Sequence, residues 1–280
     1  MVLRSHGSQS NPHTTAEEVT ISSSSRIALV GGGASGIGYA TADQLASAGH
    51  GVVLAGRSAE TLEAAAARLR ERTGAVVGTL VHDIADPDLA ERAVAQVEAR
   101  YGRLDIMVLN AGGPPPGRIL DVDDKGWLEA IDLLLLGPLR LARLALPRMG
   151  QRGFGRVVFV TSTAVRQPQP DLATSVVLRA AVTAAAKLLS REFAANGVTV
   201  NCVAPGATAT ERRRQILTAR ARTTGGEYAA ADAADAASIP AGRAGEPAEI
   251  GAAIAFLASE AASYVNGTVL TVDGGRTETL

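Results

Sequence analysis

The sequence predicts a single α/β domain whose core is a doubly wound parallel sheet, and three features of the chain carry this prediction. Short runs that are apolar at every position alternate with longer amphipathic segments along the 280 residues. A glycine-rich turn joins the first such run to the first amphipathic segment, and no linker composition divides the chain. Strands without polar positions are typical of parallel sheets covered on both faces. Right-handed crossovers then produce a doubly wound sheet with its ligand site at the carboxyl ends of the strands.

The first predicted element is a strand at residues 26–30, and the turn after it has the pattern of a phosphate-binding loop. The residues from Val30 to Gly38 read VGGGASGIG, and a helical pattern follows at 39–45. In a Rossmann-type unit the first glycine allows the tight turn, the second lets a pyrophosphate approach, and the third lets the helix pack on the strand. Gly32, Gly36 and Gly38 stand at these positions. The turn is therefore a candidate dinucleotide site, although ordinary strand-to-helix turns share this pattern.

The rest of the chain continues the alternation. The predicted strands lie at residues 51–55, 76–81, 104–109, 156–160, 198–203 and 268–272. The predicted helices cover residues 59–72, 87–101, 124–150, 172–196 and 247–258. Residues 207–244 differ, because they are charged, rich in alanine and interrupted by Gly225-Gly226. This segment is too long for a plain loop, so we expect a mobile lid over the site.

Composition excludes several classes of partner and site. The chain carries 27 basic and 28 acidic residues, a net charge of −1, so we expect neither nucleic acid nor a membrane surface as a partner. Its one cysteine, Cys202, cannot form an intramolecular disulfide, and its apolar neighbours indicate a buried strand residue rather than a nucleophile. The four histidines are dispersed without the spacing of metal ligands, so we expect no metal.

The sequence shows no recognisable targeting or membrane-spanning segment. Residues 1–25 are polar and lack the apolar core of a signal peptide, so we expect a disordered tail there and one domain over 26–280. The longest apolar run, around 131–136, stops at Gly137-Pro138 and is shorter than the roughly 18–20 residues of a spanning helix. We therefore expect a cytoplasmic protein.

Residues after the second and third strands predict which dinucleotide binds. Where the second strand of a Rossmann-type unit ends, an acid bonds the ribose 2′-hydroxyl, whereas an arginine suits a 2′-phosphate. This chain has Arg57 and no acid there, which favours NADP(H) over NAD(H); a solvated surface arginine is the alternative. Asp83 can accept from an adenine amino group with Ile84 beside the ring, or Asp83 can simply cap the next turn.

Small residues after the fourth and sixth strands leave room for a ligand at the same edge. They are Asn110-Ala111-Gly112 and Pro205-Gly206, and Asn110 can lock its loop by side-chain hydrogen bonds. The residues assigned to the dinucleotide are Gly32, Ser35, Gly36, Ile37, Gly38, Arg57, Asp83, Ile84, Asn110, Ala111, Gly112, Pro205 and Gly206.

Together these stretches resemble the short-chain dehydrogenase/reductase family, specifically its 3-oxoacyl-carrier-protein-reductase-like members, from about residue 26 to 276. The glycine turn resembles the motif TGxxxGIG with Gly31 in place of threonine, and residues 109–112 resemble NNAG with Leu109 first. Asp83 matches the adenine-reading aspartate, and residues 205–210 match PGxxxT. Residues 239–247, 256–259 and 272–275 also fit. The resemblance implies an NAD(P)-dependent oxidoreductase that forms dimers or tetramers through helices at 127–150 and 172–196.

The resemblance breaks at the family's four catalytic positions. Ser162 matches the catalytic serine, but Ser175 stands where tyrosine belongs and Arg179 where lysine belongs. Leu134 fills the asparagine position, and no Tyr-x-x-x-Lys occurs anywhere in the chain. Lys187 lies three helical turns beyond Ser175, about 18 Å along the axis, too far to substitute. The sequence therefore predicts a retained nucleotide cradle beside an atypical reaction centre.

The replacements change the chemistry that is available. A tyrosine with a pKa of about 10 can act as an acid beside a cation, whereas a serine hydroxyl is far less acidic. Arg179 shares a helix face with Ser175 and stays protonated, so it can stabilise an oxyanion but cannot relay a proton. Ser162, Ser175 and Arg179 are the catalytic candidates, with a helix cap and a surface ion pair as the alternative. Tyr228 is a weaker donor candidate, and Asp171 is expected to cap the following helix.

These features favour an NADP(H)-binding oxidoreductase that acts on a small carbonyl or alcohol. Hydride would pass between nicotinamide and a carbon near Ser162, with the proton from water or an atypical donor. The missing tyrosine and lysine leave two alternatives open. One is non-redox catalysis in the same pocket, such as dehydration, cyclisation or isomerisation. The other is a catalytically silent dinucleotide-binding protein.

Overall fold

The computed structural model describes residues 25–279, and across them seven parallel strands form one sheet. The strands are β1 Ile27–Gly31, β2 Gly51–Gly56, β3 Val77–Val81, β4 Ile106–Leu109, β5 Gly155–Val160, β6 Val198–Pro205 and β7 Val269–Val272. Their order in the sheet is β3-β2-β1-β4-β5-β6-β7. The chain therefore reverses its winding direction between β1 and β4, and the prediction of a doubly wound sheet is confirmed. The predicted tail lies, except for Ser25, outside the described residues.

Helices cover both faces of the sheet. They are α1 Gly36–Ser47, α2 Ala59–Thr73, α3 Pro87–Tyr101, α4 Asp124–Ile131, α5 Gly137–Gln151, α6 Ala173–Phe193, α7 Glu211–Thr224, α8 Tyr228–Ala237 and α9 Pro247–Ala258. Successive strand residues point to opposite faces, so Leu29 packs in the core with α3, α5 and α6, whereas Val30 packs with α1, α2 and α9. This two-sided burial explains why the strands are apolar at every position.

The helical region predicted at 124–150 is not one regular helix. A π-helical turn at Asp132–Leu136 separates α4 from α5. Gly137 follows it, and a Cβ there would lie 2.1 Å from the carbonyl oxygen of Ile84. The glycine thus lets the start of α5 pack directly against the loop after β3. The extra residue of the π turn changes the helix phase between α4 and α5.

Residues 207–244 contain two helices rather than an irregular loop. Thr210 caps α7 by accepting a hydrogen bond from the backbone N–H of Arg213, and Gly225 ends it in the left-handed conformation. Arg213 pairs with Asp232 and Asp235 of α8 at 2.5 and 2.8 Å. The segment is therefore a helical hairpin held by ion pairs, which we call the α7–α8 hairpin.

The start and surface of α6 differ from expectation. Asp171 does not cap the helix, because the N-cap is Leu172 and no side chain caps it; the Asp171 carboxylate instead binds Arg220 of α7 at 2.6 Å. By length and composition residues 173–196 also pass as a membrane span, with a mean hydropathy of 1.3. This finding differs from the prediction that no apolar stretch is long enough to span a membrane. In the structure α6 packs on β6, with Val182 and Ala186 in the core. It is a layer of the domain.

Candidate functional site

A cleft of about 890 Å³ opens at the carboxyl ends of the strands, beneath the α7–α8 hairpin. It is walled by the turns after β1, β2, β3, β4, β5 and β6, where a doubly wound sheet binds its ligands. The predicted dinucleotide residues that line it are Gly32, Ser35, Gly36, Ile37, Arg57, Asp83, Ile84, Asn110, Ala111, Gly112, Pro205 and Gly206. The catalytic candidates that line it are Ser162, Ser175 and Arg179. Gly38 is buried behind this wall and does not line the cleft.

The glycine turn brings backbone into the cleft. Gly32 has a φ of +60°, and a Cβ on Gly38 would lie 2.2 Å from the carbonyl oxygen of Gly32, so α1 begins in direct contact with the turn. The N-cap residue Ser35 makes no side-chain hydrogen bond to the first turn of α1. The N–H groups of that turn are thus left for a ligand, and they carry the positive end of the helix dipole.

One side chain ties the glycine turn to the centre of the sheet. The amide Nδ2 of Asn110, at the end of β4, donates to the carbonyl oxygen of Gly31 at 3.0 Å. A Cβ on Gly31 would lie 2.4 Å from the backbone oxygen of Asn110, so the two loops are in close contact. Asn110 therefore holds its loop in place, as the sequence suggested, and does so through the turn that precedes α1.

The far end of the cleft collects Arg57, Asp83 and a residue that the sequence did not single out. Arg57 is exposed and forms no ion pair within residues 25–279. Asp83 Oδ1 accepts from the backbone N–H of Ala85 at 3.1 Å, so it caps its turn and also faces the cleft. His82 lines the same end with both ring nitrogens lacking a hydrogen-bond partner. Burial lowers the pKa of His82, so its imidazole is neutral at pH 7.

Ser162, Ser175 and Arg179 meet at the other end of the cleft. Ser162 Oγ accepts from the backbone N–H of Ala164 at 3.1 Å, which caps a short 3-10 turn and leaves its hydroxyl proton free to donate. Arg179 Nε donates to Ser175 Oγ at 3.2 Å, and its Nη1 donates to the carbonyl oxygen of Val160 at 2.5 Å. Ser162 is thus a cap as well as a cleft residue, whereas Arg179 forms no ion pair with any residue that the structure describes.

The charge state of Arg179 follows from its surroundings. Burial and, to a lesser extent, the nearby positive charge of Arg212 lower the pKa of its guanidinium from 12.5 to about 10. Arg179 therefore stays protonated at neutral pH. A cation that holds the Ser175 hydroxyl, in a cleft that Ser162 also lines, can stabilise negative charge on a bound oxygen, but it cannot supply a proton.

The α7–α8 hairpin adds cleft residues that the sequence reasoning missed. The charged side chains among them are Glu211, Arg212, Arg213, Arg220 and Asp235, and two residues outside the hairpin, Gln169 before α6 and Arg276 after β7, also line the cleft. The run Arg212-Arg213-Arg214 was the available signal, but only the direction of α7 decides which arginine faces the cleft. Arg213 and Arg276 share the carboxylate of Asp235, and Arg220 binds Asp171 and Gln169. The Arg220 contact lowers the pKa of Asp171.

Other residues considered from the sequence lie away from the cleft. Leu134 is buried in a small apolar cluster with Ala130 and Leu178. Lys187 Nζ donates to the carbonyl oxygen of Gly267 and faces a second cavity. Tyr228 begins α8 and does not line the cleft. Cys202 is buried, which raises its pKa to about 12, and within residues 25–279 no three His, Cys, Asp or Glu side chains group around a potential metal site.

The chain has relatives that match it over most of its length. A family model described as enoyl-(acyl carrier protein) reductase matches residues 32–277. The 3-oxoacyl-[acyl-carrier-protein] reductase FabG of Haemophilus influenzae is 33% identical over 250 residues, which are 89% of this chain and 97% of FabG. The chain belongs to the short-chain dehydrogenase/reductase family.

Solved structures similar to this member of the short-chain dehydrogenase/reductase family include reductases bound to NADPH. Actinorhodin polyketide ketoreductase with NADPH superposes with a TM-score of 0.88 at 30% identity, covering 93% of this chain and 100% of that one. L-sorbose reductase from Gluconobacter frateurii, complexed with NADPH and L-sorbose, has a TM-score of 0.87 at 31% identity, covering 92% and 98%. The family and its oxidoreductase fold are therefore as the sequence motifs indicated.

Proposed function

We propose that this protein is an NADP(H)-dependent oxidoreductase that acts on a small carbonyl or alcohol with an atypical reaction centre. One observation carries the proposal: a single cleft joins the glycine turn and Arg57 at one end to Ser162, Ser175 and Arg179 at the other. The chain belongs to an oxidoreductase family, and two solved structures similar to it contain NADPH. Both findings support the same conclusion.

The residues present fit a dinucleotide. The turn after β1 leaves no space for side chains at Gly31 and Gly38, so a ligand meets backbone N–H groups and the start of α1. Gly36 has no neighbour closer than 3.4 Å to a built Cβ, which leaves its face of the turn open. Arg57 would hold the ribose 2′-phosphate, Asp83 and Ile84 the adenine, and Asn110 with Pro205-Gly206 the nicotinamide end.

The reaction centre positions the substrate carbonyl and stabilises the negative charge that forms on its oxygen. When bound, NADPH supplies the hydride that reduces a carbonyl carbon. Ser162 donates a hydrogen bond to the carbonyl oxygen, and Arg179 stabilises the negative charge that develops there. Water supplies the proton, since neither a protonated arginine nor a serine hydroxyl is a suitable acid at neutral pH. Holding the carbonyl in a fixed pose itself lowers the barrier by several kcal/mol.

Fluorescence titration and a turnover panel test this proposal. We expect NADPH to bind more tightly than NADH and to be oxidised with at least one aldehyde or ketone of the panel. Tight NADPH binding without turnover on any carbonyl would contradict it. That outcome favours non-redox catalysis in the same cleft, for which the supporting observation is that the Arg179 cation holds the Ser175 hydroxyl in the cleft. Failure to bind either dinucleotide would leave a silent relative of the enzymes.

We also propose how the chain assembles and where it works. The surface of α6 presents Val177 and Leu188, which are 43% and 63% exposed, and Leu136, on the π turn that packs against α6, is also exposed. Such a patch suits a dimer or tetramer interface built from these helices. The α7–α8 hairpin would serve as the lid of a single domain over residues 26–280. A cytoplasmic location agrees with the single, buried cysteine.

A further inference from the structure

The reaction end of the cleft holds more positive charge than its own carboxylates neutralise. Three of its arginines are paired: Arg213 and Arg276 with Asp235, and Arg220 with Asp171. Arg179 and Arg212 have no carboxylate within 4 Å among residues 25–279. The neighbouring acid, Glu211, faces Arg214 at 4.0 Å. Two guanidiniums that line the cleft, those of Arg179 and Arg212, thus have no carboxylate partner among the described residues, although Glu211 lines the cleft as well.

Arg212 is held in place by the loop after β4. Its Nη2 donates to the carbonyl oxygen of Pro114 at 2.5 Å. A Cβ on Gly113 would lie 2.8 Å from both Nε and Nη2 of Arg212, so the glycine makes room for the guanidinium. The remaining N–H groups of Arg212 have no partner in the described part of the chain. Its position is preorganised, and its free edge is available to a ligand.

Arg179 approaches the same space from α6. Its hydrogen bonds to Ser175 and to the Val160 carbonyl fix the side chain. Both guanidiniums line the same cleft, and the positive charge of Arg212 adds to burial in lowering the pKa of Arg179. Repulsion between partly buried like charges is unfavourable without a ligand, and an anion bound between them would relieve it.

We propose that the substrate is an oxo acid whose carboxylate binds between Arg179 and Arg212 while its carbonyl lies at Ser162. A carboxylate matches this arrangement because each of its two oxygens can accept from one guanidinium. The oxo acid is the substrate of the reduction proposed above, so this assignment rests on the proposed function. It adds to that function the negative charge that the substrate must carry and the residue of the α7–α8 hairpin that binds it, Arg212.

The first test compares oxo acids with their own methyl esters, which keep the carbonyl but lose the charge. The probes are 2-oxobutanoate, acetoacetate and levulinate, which place the carboxylate at three distances from the ketone. Calorimetric titration in the presence of NADP⁺ measures binding without turnover, and NADPH oxidation measures reduction. We expect one acid to bind at least about tenfold more tightly than its ester, the effect of one charge-assisted contact.

Variants then assign the charge to Arg212. Arg212→Gln is expected to remove the preference for the acid, whereas Arg212→Lys retains part of it. Arg214→Gln is the matched control, because Arg214 lies on the same helix, is 68% exposed and stays outside the cleft; it should keep the full preference. Unchanged thermal melting and NADPH affinity in all three variants would show that the fold is intact.

The outcomes separate this assignment from the proposed function. If no acid binds more tightly than its ester, the carboxylate site is wrong. If Arg212→Gln weakens acid and ester equally, Arg212 has a structural role and the assignment is also wrong. If an ester is reduced as well as its acid, the reductase stands and the carboxylate site falls. If an acid binds tightly but NADPH is not oxidised, the carboxylate site stands and the reductase falls.

Discussion

The two ends of the cleft are built from different parts of the chain. The dinucleotide end is made of backbone: glycines, a helix start and one amide that locks two loops. The substrate end is made of long side chains, several of them arginines on a hairpin far along the sequence. A site built from backbone depends on local sequence, whereas one built from side chains depends on how distant elements pack. This difference determines how well each end of the cleft can be predicted from the sequence.

Gly38→Ala tests the backbone-built end and should have the largest effect. The new Cβ would lie 2.2 Å from the carbonyl oxygen of Gly32, so α1 must move away from the turn. We expect a loss of about 3 kcal/mol in the free energy of unfolding and at least roughly a tenfold loss of NADPH affinity. Chemical denaturation and fluorescence titration measure the two effects.

Gly226→Ala is the control for that substitution, because a Cβ there meets nothing closer than 3.5 Å. It should leave both the stability and the affinity unchanged. Wild-type stability and wild-type NADPH binding in Gly38→Ala would show that the turn tolerates a side chain and is not a tight cradle.

Ser162→Ala tests the side-chain-built end. If Ser162 donates to the substrate oxygen, its loss should lower kcat about a hundredfold while NADPH affinity stays within about twofold. Ser190→Ala, a buried serine of α6 that bonds the Lys187 carbonyl away from the cleft, is the matched control. An unchanged rate in Ser162→Ala would remove this residue from the reaction.

Arg57→Asp tests whether a side chain also contributes to NADPH affinity at the dinucleotide end. We expect it to weaken NADPH by about tenfold or more and to favour NADH, because an acid repels a 2′-phosphate and can bond a 2′-hydroxyl. Arg92→Asp makes the same charge change at an exposed position of α3. Equal affinities before and after the change would refute a phosphate role for Arg57.

The ion pair of Asp171 with Arg220 should give the smallest effect, on stability alone. Arg220 lowers the pKa of Asp171 below 3.8, so the pair stabilises the fold fully above that pH and less as pH falls through the lower, folded-state pKa. We expect Asp171→Asn to have a lower Tm than wild type at neutral pH and an equal one in strong acid. A Tm difference that does not change with pH would mean that charge is not the cause.

Much of this protein could be predicted without its structure. The apolar strands and the glycine turn specified the sheet, its two covered faces and the edge at which the cleft lies; the structure shows all three, and similar solved structures share the fold. These features depend on side-chain periodicity and on backbone conformations that only glycine adopts easily, both of which are local. Ser175 and Arg179 share a helix face by spacing alone, so their contact was also foreseeable.

Only the tertiary structure decided the substrate end. Asp171 looked like a helix cap, yet it binds Arg220, a residue 49 positions away. Residues 207–244 looked like a lid of unknown form, yet they fold into the α7–α8 hairpin, and the direction of α7 brings Arg212 into the cleft while Arg214 faces outward. No local pattern encodes such choices, because the pairing of long charged side chains is set by which elements meet in space. The sequence predicted where a dinucleotide would bind; the packing of α7 against the β4 loop decided which charged side chains of α7 face the cleft.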